Sequence, residues 1–172
     1  IVANSYSQSI LLEEDFNAGI PATWAIVNND GATPNAAVST FTNGWISYIN
    51  NADTVAASTS YHETTGTASQ DYLISPKINL LAVSKLSWDG RSVDASYPDG
   101  YYVLISSDSL IASFTDTLLI VDSENYVWNR KSVFLNDHGY ANQSVFIAFR
   151  NFTKDGFILE IDNVLVEASD FV

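Results

Sequence analysis

The chain has no cysteine and no methionine, and only seven Lys and Arg among its 172 residues. Without cysteine it forms no disulfide, builds no thiolate metal site and carries no cysteine nucleophile. Against those few cations stand 20 Asp and Glu, a formal net charge of −13, which argues against nucleic acid or an anionic membrane as partner. No apolar run approaches the roughly 18 residues that cross a bilayer as a helix, so no membrane insertion is expected. The sequence opens Ile1-Val2-Ala3-Asn4, with neither an initiator Met nor a basic stretch before an apolar one. We read this as a chain from which a signal peptide has been removed, exported to the medium or the cell surface. Helix formers in amphipathic register are also scarce.

What is present is β-sheet chemistry. Ser, Thr, Asn, Val, Ile and aromatic residues dominate, in apolar runs of a few residues separated by Gly, Pro, Asn and Asp. Strands are expected at residues 9–16, 25–28, 45–50, 71–74, 83–89, 100–106, 118–121, 129–134, 143–150 and 156–167, with one helical turn over 109–114. Such spacing predicts an all-β, antiparallel two-sheet sandwich. Tyr97-Pro98-Asp99-Gly100 reads as a turn with glycine in the left-handed position, as do Asn29-Asp30-Gly31 and Asp137-His138-Gly139. The length suits one domain, residues 1–172, with 9–168 as the sandwich, 1–8 as a free or assembly arm and 169–172 as a tail.

The best-specified strand runs from Phe157 to Glu167. Strict alternation puts Ile158, Glu160, Asp162, Val164 and Val166 on one face. Two carboxylates two residues apart in an apolar run repel each other and are costly to desolvate. Either a cation sits beside them, or they lie at an edge facing water.

Several segments, in order, carry a family resemblance: Glu14-Asp15-Phe16-Asn17-Ala18-Gly19-Ile20-Pro21-Ala22-Thr23-Trp24; Asp71-Tyr72-Leu73-Ile74-Ser75-Pro76; Tyr97-Pro98-Asp99-Gly100-Tyr101-Tyr102; Val145 to Asn151; and Leu159-Glu160-Ile161-Asp162-Asn163-Val164. Over about residues 10 to 168 the chain resembles the cleaved-adhesin, or choice-of-anchor J, domains that accompany gingipain proteases. The resemblance implies a jelly-roll sandwich similar to MAM domains and carbohydrate-binding modules. It implies export, most often from Bacteroidetes by type IX secretion, and structural calcium between first and last strands. Glu14 and Asp162 match the family's first-strand and last-strand acids. Asp30 matches its acidic turn, although Asn28-Asn29 stand where relatives are richer in Asp.

Calcium takes about six to eight oxygens, so Glu14 and Asp162 need further donors, and the loop carrying Asn50, Asn51 and Asp53 supplies suitable ones. Asp94 and Asp99 form a second acidic cluster, read as solvated turn residues. For a ligand, the aromatic residues Trp128, Tyr101 and Tyr126 are the candidates, with Tyr97 and Tyr140 behind them. Trp24, Trp45 and Trp88 are read as core, and Trp128 has a core reading too. The partner classes expected are a host or environmental protein or glycan, other domains of a parent protein, and copies of the chain itself through strand addition at a sheet edge. Catalysis is not expected. His62 and His138 lie in polar loops outside any metal-binding spacing, and no nucleophile elbow or phosphate-cradling loop occurs.

Overall fold

The computed structural model describes residues 7–51 and 53–170. Twelve strands form two antiparallel sheets: β1 (Ser7–Glu14), β2 (Ala25–Asn28), β3 (Ile46–Asn50), β4 (Asp53–Thr59), β5 (Asp71–Ile74), β6 (Ile78–Asn79), β7 (Val83–Ser92), β8 (Tyr101–Ser106), β9 (Asp116–Val121), β10 (Asn129–Phe134), β11 (Ser144–Asn151) and β12 (Ile158–Asp170). The first sheet has the order β10-β7-β12-β4-β3, with β1 also on β12. The second has the order β2-β5-β11-β8-β9, with β6 also on β11. This is the expected all-β jelly-roll sandwich. The helical turn expected over 109–114 is a short 3-10 turn at Ile111–Ser113.

The core lies between the sheets. Leu86, Trp88, Leu159, Ile161, Val164 and Val166 of the first sheet meet Leu73, Val103, Ile105, Val145, Ile147 and Phe149 of the second, all buried. Trp88 stands edge-on to Phe149 with centroids 5.7 Å apart, and Phe16 stands edge-on to Trp24 at 5.3 Å. Phe16 is wholly buried at φ +51°, a left-handed conformation that an aromatic residue rarely adopts. The Glu14 carboxylate holds it there by accepting the Phe16 N–H at 3.0 Å.

Four expectations are corrected. First, alternation does not run through β12. Its pairing with β7 shifts register between Asp162 and Leu165, and Asn163 sits at φ +49°. This bulge moves the core-facing set from Leu159 and Ile161 to Val164 and Val166. Second, Asn50 and Asp53 are not loop residues but pair with each other as the facing ends of a β3–β4 hairpin, with Asn51 at φ +59°. Strand β4 was not expected at all. Ala56 and Ala57 are fully buried on its two faces, so the strand carries neither alternation nor bulk to betray it. Third, Gly100 does not adopt a left-handed conformation; it is needed because a Cβ there would lie 2.5 Å from the Asp122 carbonyl oxygen. Fourth, β1 already includes Ser7 and Gln8, paired with Asp170 and Ser169 of β12. The ordered strand pair thus passes the boundaries expected at 9 and 168. The remainder of the arm (1–6) and of the tail (171–172) lies outside the described residues.

Candidate functional site

The outer face of the first sheet is built in rows, because paired residues on neighbouring antiparallel strands share a face. One row runs Ile46, Ala57, Glu160 and Arg91 across β3, β4, β12 and β7. Trp128, immediately before β10, closes it with its ring 5.1 Å from the Arg91 guanidinium carbon. Glu160 is completely buried, and one of its oxygens takes both contacts: Arg91 Nε at 2.6 Å and Asn50 Nδ2 at 3.1 Å. The other oxygen has no partner. A buried carboxylate thus fixes Arg91, and Arg91 fixes the indole. Trp128 remains 39% exposed, beside Tyr126 and Val127, which are more exposed still.

The next row carries Asp162 opposite Asp89 of β7 and Arg130 opposite Asp89 on β10. Asp162 lies at the bulge, where β12 changes partner from β4 to β1, so Asp53 at the start of β4 and Glu14 at the end of β1 are brought to the same end of the sheet. Burial, then the charges of Asp53, Asp89 and Asp15, push the Asp162 carboxyl up to about 6. Arg130 braces the bulge, donating to the Asn163 carbonyl at 2.7 Å and to Ser87 Oγ at 2.8 Å, with Asp89 at 3.4 Å. The Glu14 carboxylate, raised chiefly by burial, faces its own turn at Phe16. Asn51 lies in the hairpin turn, its amide donating to Asn50 Oδ1.

Asp30 does not join them. Its oxygens accept the Ala32 and Gln70 N–H groups, and its charge acts on Asp71 and His62. Asp71 is a residue that sequence reasoning passed over as strand material. It points inward from β5, is 3% exposed, and its Oδ1 has no partner. Burial first, and Asp30 second, push it up to about 7. Gly44 stands against that oxygen, where a Cβ would come within 2.5 Å of it. His62 is buried too rather than in a polar loop; its Nε2 meets Ser69 Oγ at 3.1 Å and its Nδ1 has no partner.

Two further residues are corrected. Tyr101 cannot be a ligand platform: it is wholly buried, its hydroxyl accepting from Trp88 Nε1 at 2.9 Å and donating to Glu124 at 2.8 Å. Glu124, itself buried, is neutralised by Lys131 at 2.6 Å. Asp99 is not a solvated turn residue. It is fully buried and accepts from Ser60 Oγ at 2.6 Å, Phe157 N at 3.1 Å and Asn151 Nδ2 at 3.2 Å. No group of three His, Asp or Glu side chains stands at metal-holding distance among the described residues. Nor does any helix among them have the length and apolarity to cross a membrane.

Two packed antiparallel sheets define a β-sandwich, a fold that carbohydrate-binding modules share. More narrowly, the chain belongs to the cleaved adhesin family: the profile described as the Cleaved Adhesin Domain matches residues 9–166. It is 25% identical over 180 residues to Hemagglutinin A of Porphyromonas gingivalis (strain ATCC BAA-308 / W83), an alignment covering 93% of this chain and 8% of that protein. The chain therefore spans less than a tenth of that curated relative. The crystal structure of the K3 cleaved adhesin domain of Lys-gingipain from Porphyromonas gingivalis w83 matches at TM-score 0.71 and 26% identity, covering 94% of this chain and 99% of that one. The xylan-binding CBM22-1 domain of Paenibacillus barcinonensis Xyn10C shares the fold at TM-score 0.56 and 12% identity, over 94% and 96% of the two chains.

Proposed function

We propose that this domain is an exported, non-catalytic adhesion module that binds neutral glycan on the outer face of its first sheet. The observation that carries the reading is the Trp128 platform. An exposed indole, held by Arg91 over a buried Glu160, offers an apolar face for sugar C–H groups at little cost in side-chain entropy. Arg91 supplies hydrogen-bond donors beside it, and the exposed Tyr126 lies two residues away in the chain. A net charge of −13 favours an uncharged ligand for this face over a polyanion. Family membership supports adhesion as the role and a bacterial cell surface as the place, and the xylan-binding relative shows that the fold can display sugars. The test is binding of the purified domain to a panel of plant, algal and host glycans. Trp128→Ala should abolish a neutral-glycan signal while lowering the melting temperature by no more than about 4 °C, the loss of one partly solvated ring contact; a panel blank for the unaltered domain refutes the reading.

Calcium completes the proposal. The donor chemistry fits a hard dication at two places. Asp71 offers a buried, unpartnered carboxylate oxygen in a glycine-lined niche with Asp30 in Coulombic range. Asp162 stands among Asp53, Asp89 and Asp15, beside Glu14 and the Asn51 turn. A bound calcium supplies the positive charge these oxygens lack, joining the first and last strands to the β3–β4 hairpin. Chelation with EDTA should lower the melting temperature by several degrees and added calcium should restore it; an unchanged melt removes the idea.

A further inference from the structure

The second sheet has its own outer face, and it is built differently. One row crosses all five of its principal strands: Val27, Tyr72, Arg150, Tyr102 and Ile120, each paired to the next. The guanidinium of Arg150 stands between two phenol rings, 5.4 Å from the centroid of Tyr72 and 5.5 Å from that of Tyr102. On one side Phe114 packs against Tyr72 at 6.5 Å, so that ring is closed off. On the other, Phe152 packs against Tyr102 at 4.6 Å, and Ile120 beyond it is half exposed. The open part of the face is therefore Arg150 with an aromatic and aliphatic shoulder.

What sets this arginine apart is its lack of a counter-charge. Arg91 and Arg130 each have a carboxylate within 4 Å, as do Lys85 and Lys131. Arg150 has neither an ion-pair nor a hydrogen-bond partner among the described residues, and its Nε is buried without one. In a chain with 20 carboxylates, the arginine that stands between two phenol rings has none of them within 4 Å among the described residues. Contact with the two rings offsets part of the cost of desolvating the cation. The N–H groups stay free for a planar bidentate acceptor.

We propose that this face is a second binding site, independent of the Trp128 platform, for a glycan ending in a single carboxylated sugar. The carboxylate takes the Arg150 fork, and the apolar face of the sugar ring lies on Tyr102 and Phe152. A single terminal acid fits better than a polyuronate, because the −13 charge of the domain opposes the approach of a polyanion while one part-buried guanidinium can meet one carboxylate.

The test is calorimetric titration of the whole domain with four probes: a neutral xylo-oligosaccharide, the same oligosaccharide ending in one glucuronate, polygalacturonate, and a short peptide with a free C-terminal carboxylate. The glucuronate-ended probe should bind at least tenfold more tightly than its neutral parent, and more tightly than the polyuronate or the peptide. Arg150→Gln and Arg150→Lys should each erase that tenfold preference, and Tyr102→Ala should weaken it, with melting temperatures showing that the variants fold. Trp128→Ala should leave the preference intact, which separates failure of this site from failure of the other. Equal affinity for acidic and neutral probes, a preference that survives Arg150→Gln, or tighter binding of the peptide would each overturn the assignment.

Discussion

Removing Arg91 tests how the first outer face is held together. Arg91→Ala leaves Glu160 fully buried with one oxygen touching only the Asn50 amide and the other touching nothing. Breaking a buried ion pair from one side costs about 3–5 kcal/mol, because the remaining charge keeps its desolvation penalty and loses its partner. Up to about 1 kcal/mol of that is the contact with the Trp128 ring, which is partly solvated. For a domain of this size, roughly 2–4 °C of melting temperature accompany each kcal/mol, so the fall should be about 6–20 °C. Arg91→Ala combined with Glu160→Leu should recover most of the loss, since the second change removes the buried charge that the first leaves uncompensated. Denaturant unfolding of the two single variants and the double gives the coupling directly. A single-variant cost below about 1 kcal/mol with coupling near zero would refute the reasoning. It would mean that the pair behaves as a surface salt bridge and that Trp128 is not rigidly mounted.

The acidic niche has a pH signature. A folded-state value for Asp71 of about 7, above the ordinary carboxylate range, means that the folded protein holds that proton where the unfolded chain has lost it. The contribution of Asp71 to stability is therefore present in acid and lost as pH rises towards 7, and Asp99 and Asp162, at about 6, act in the same direction. In EDTA, the stability of the unaltered domain relative to Asp71→Asn should fall between pH 5 and pH 8, and calcium should flatten the fall; a difference that grows with pH contradicts the niche. A second variant tests packing alone. Gly90→Ala should destabilise by about 1–3 kcal/mol, because its Cβ would come within 2.7 Å of Glu124 Oε2 and 2.9 Å of the Tyr101 hydroxyl. Neutral or improved thermal stability would show that the Tyr101–Glu124–Lys131 network yields.

Local chemistry settled much of this protein in advance. Runs of β-branched and aromatic residues broken by turn formers specify a β-sandwich whatever lies elsewhere in the chain. Strands 25–28, 71–74 and 129–134 are legible to the residue because each has a turn former at its boundary. The ordered motifs from Glu14 to Val164 identify the family without coordinates.

Side-chain direction and partnership were another matter, because they depend on residues far away in sequence. The Asp162–Asn163 bulge reverses the face of β12, and it arises where that strand trades β4 for β1. Tyr101 and Tyr102 look alike in sequence, yet one is sealed between the sheets and the other flanks Arg150 outside. Asp71 reads as an ordinary strand residue until Asp30, Gly44 and Ser69 close around it. Sequence marks most of the stretches where the chain is extended, though not β4; only the pairing of distant strands decides which carboxylate, arginine or ring meets water, and which meets another charge.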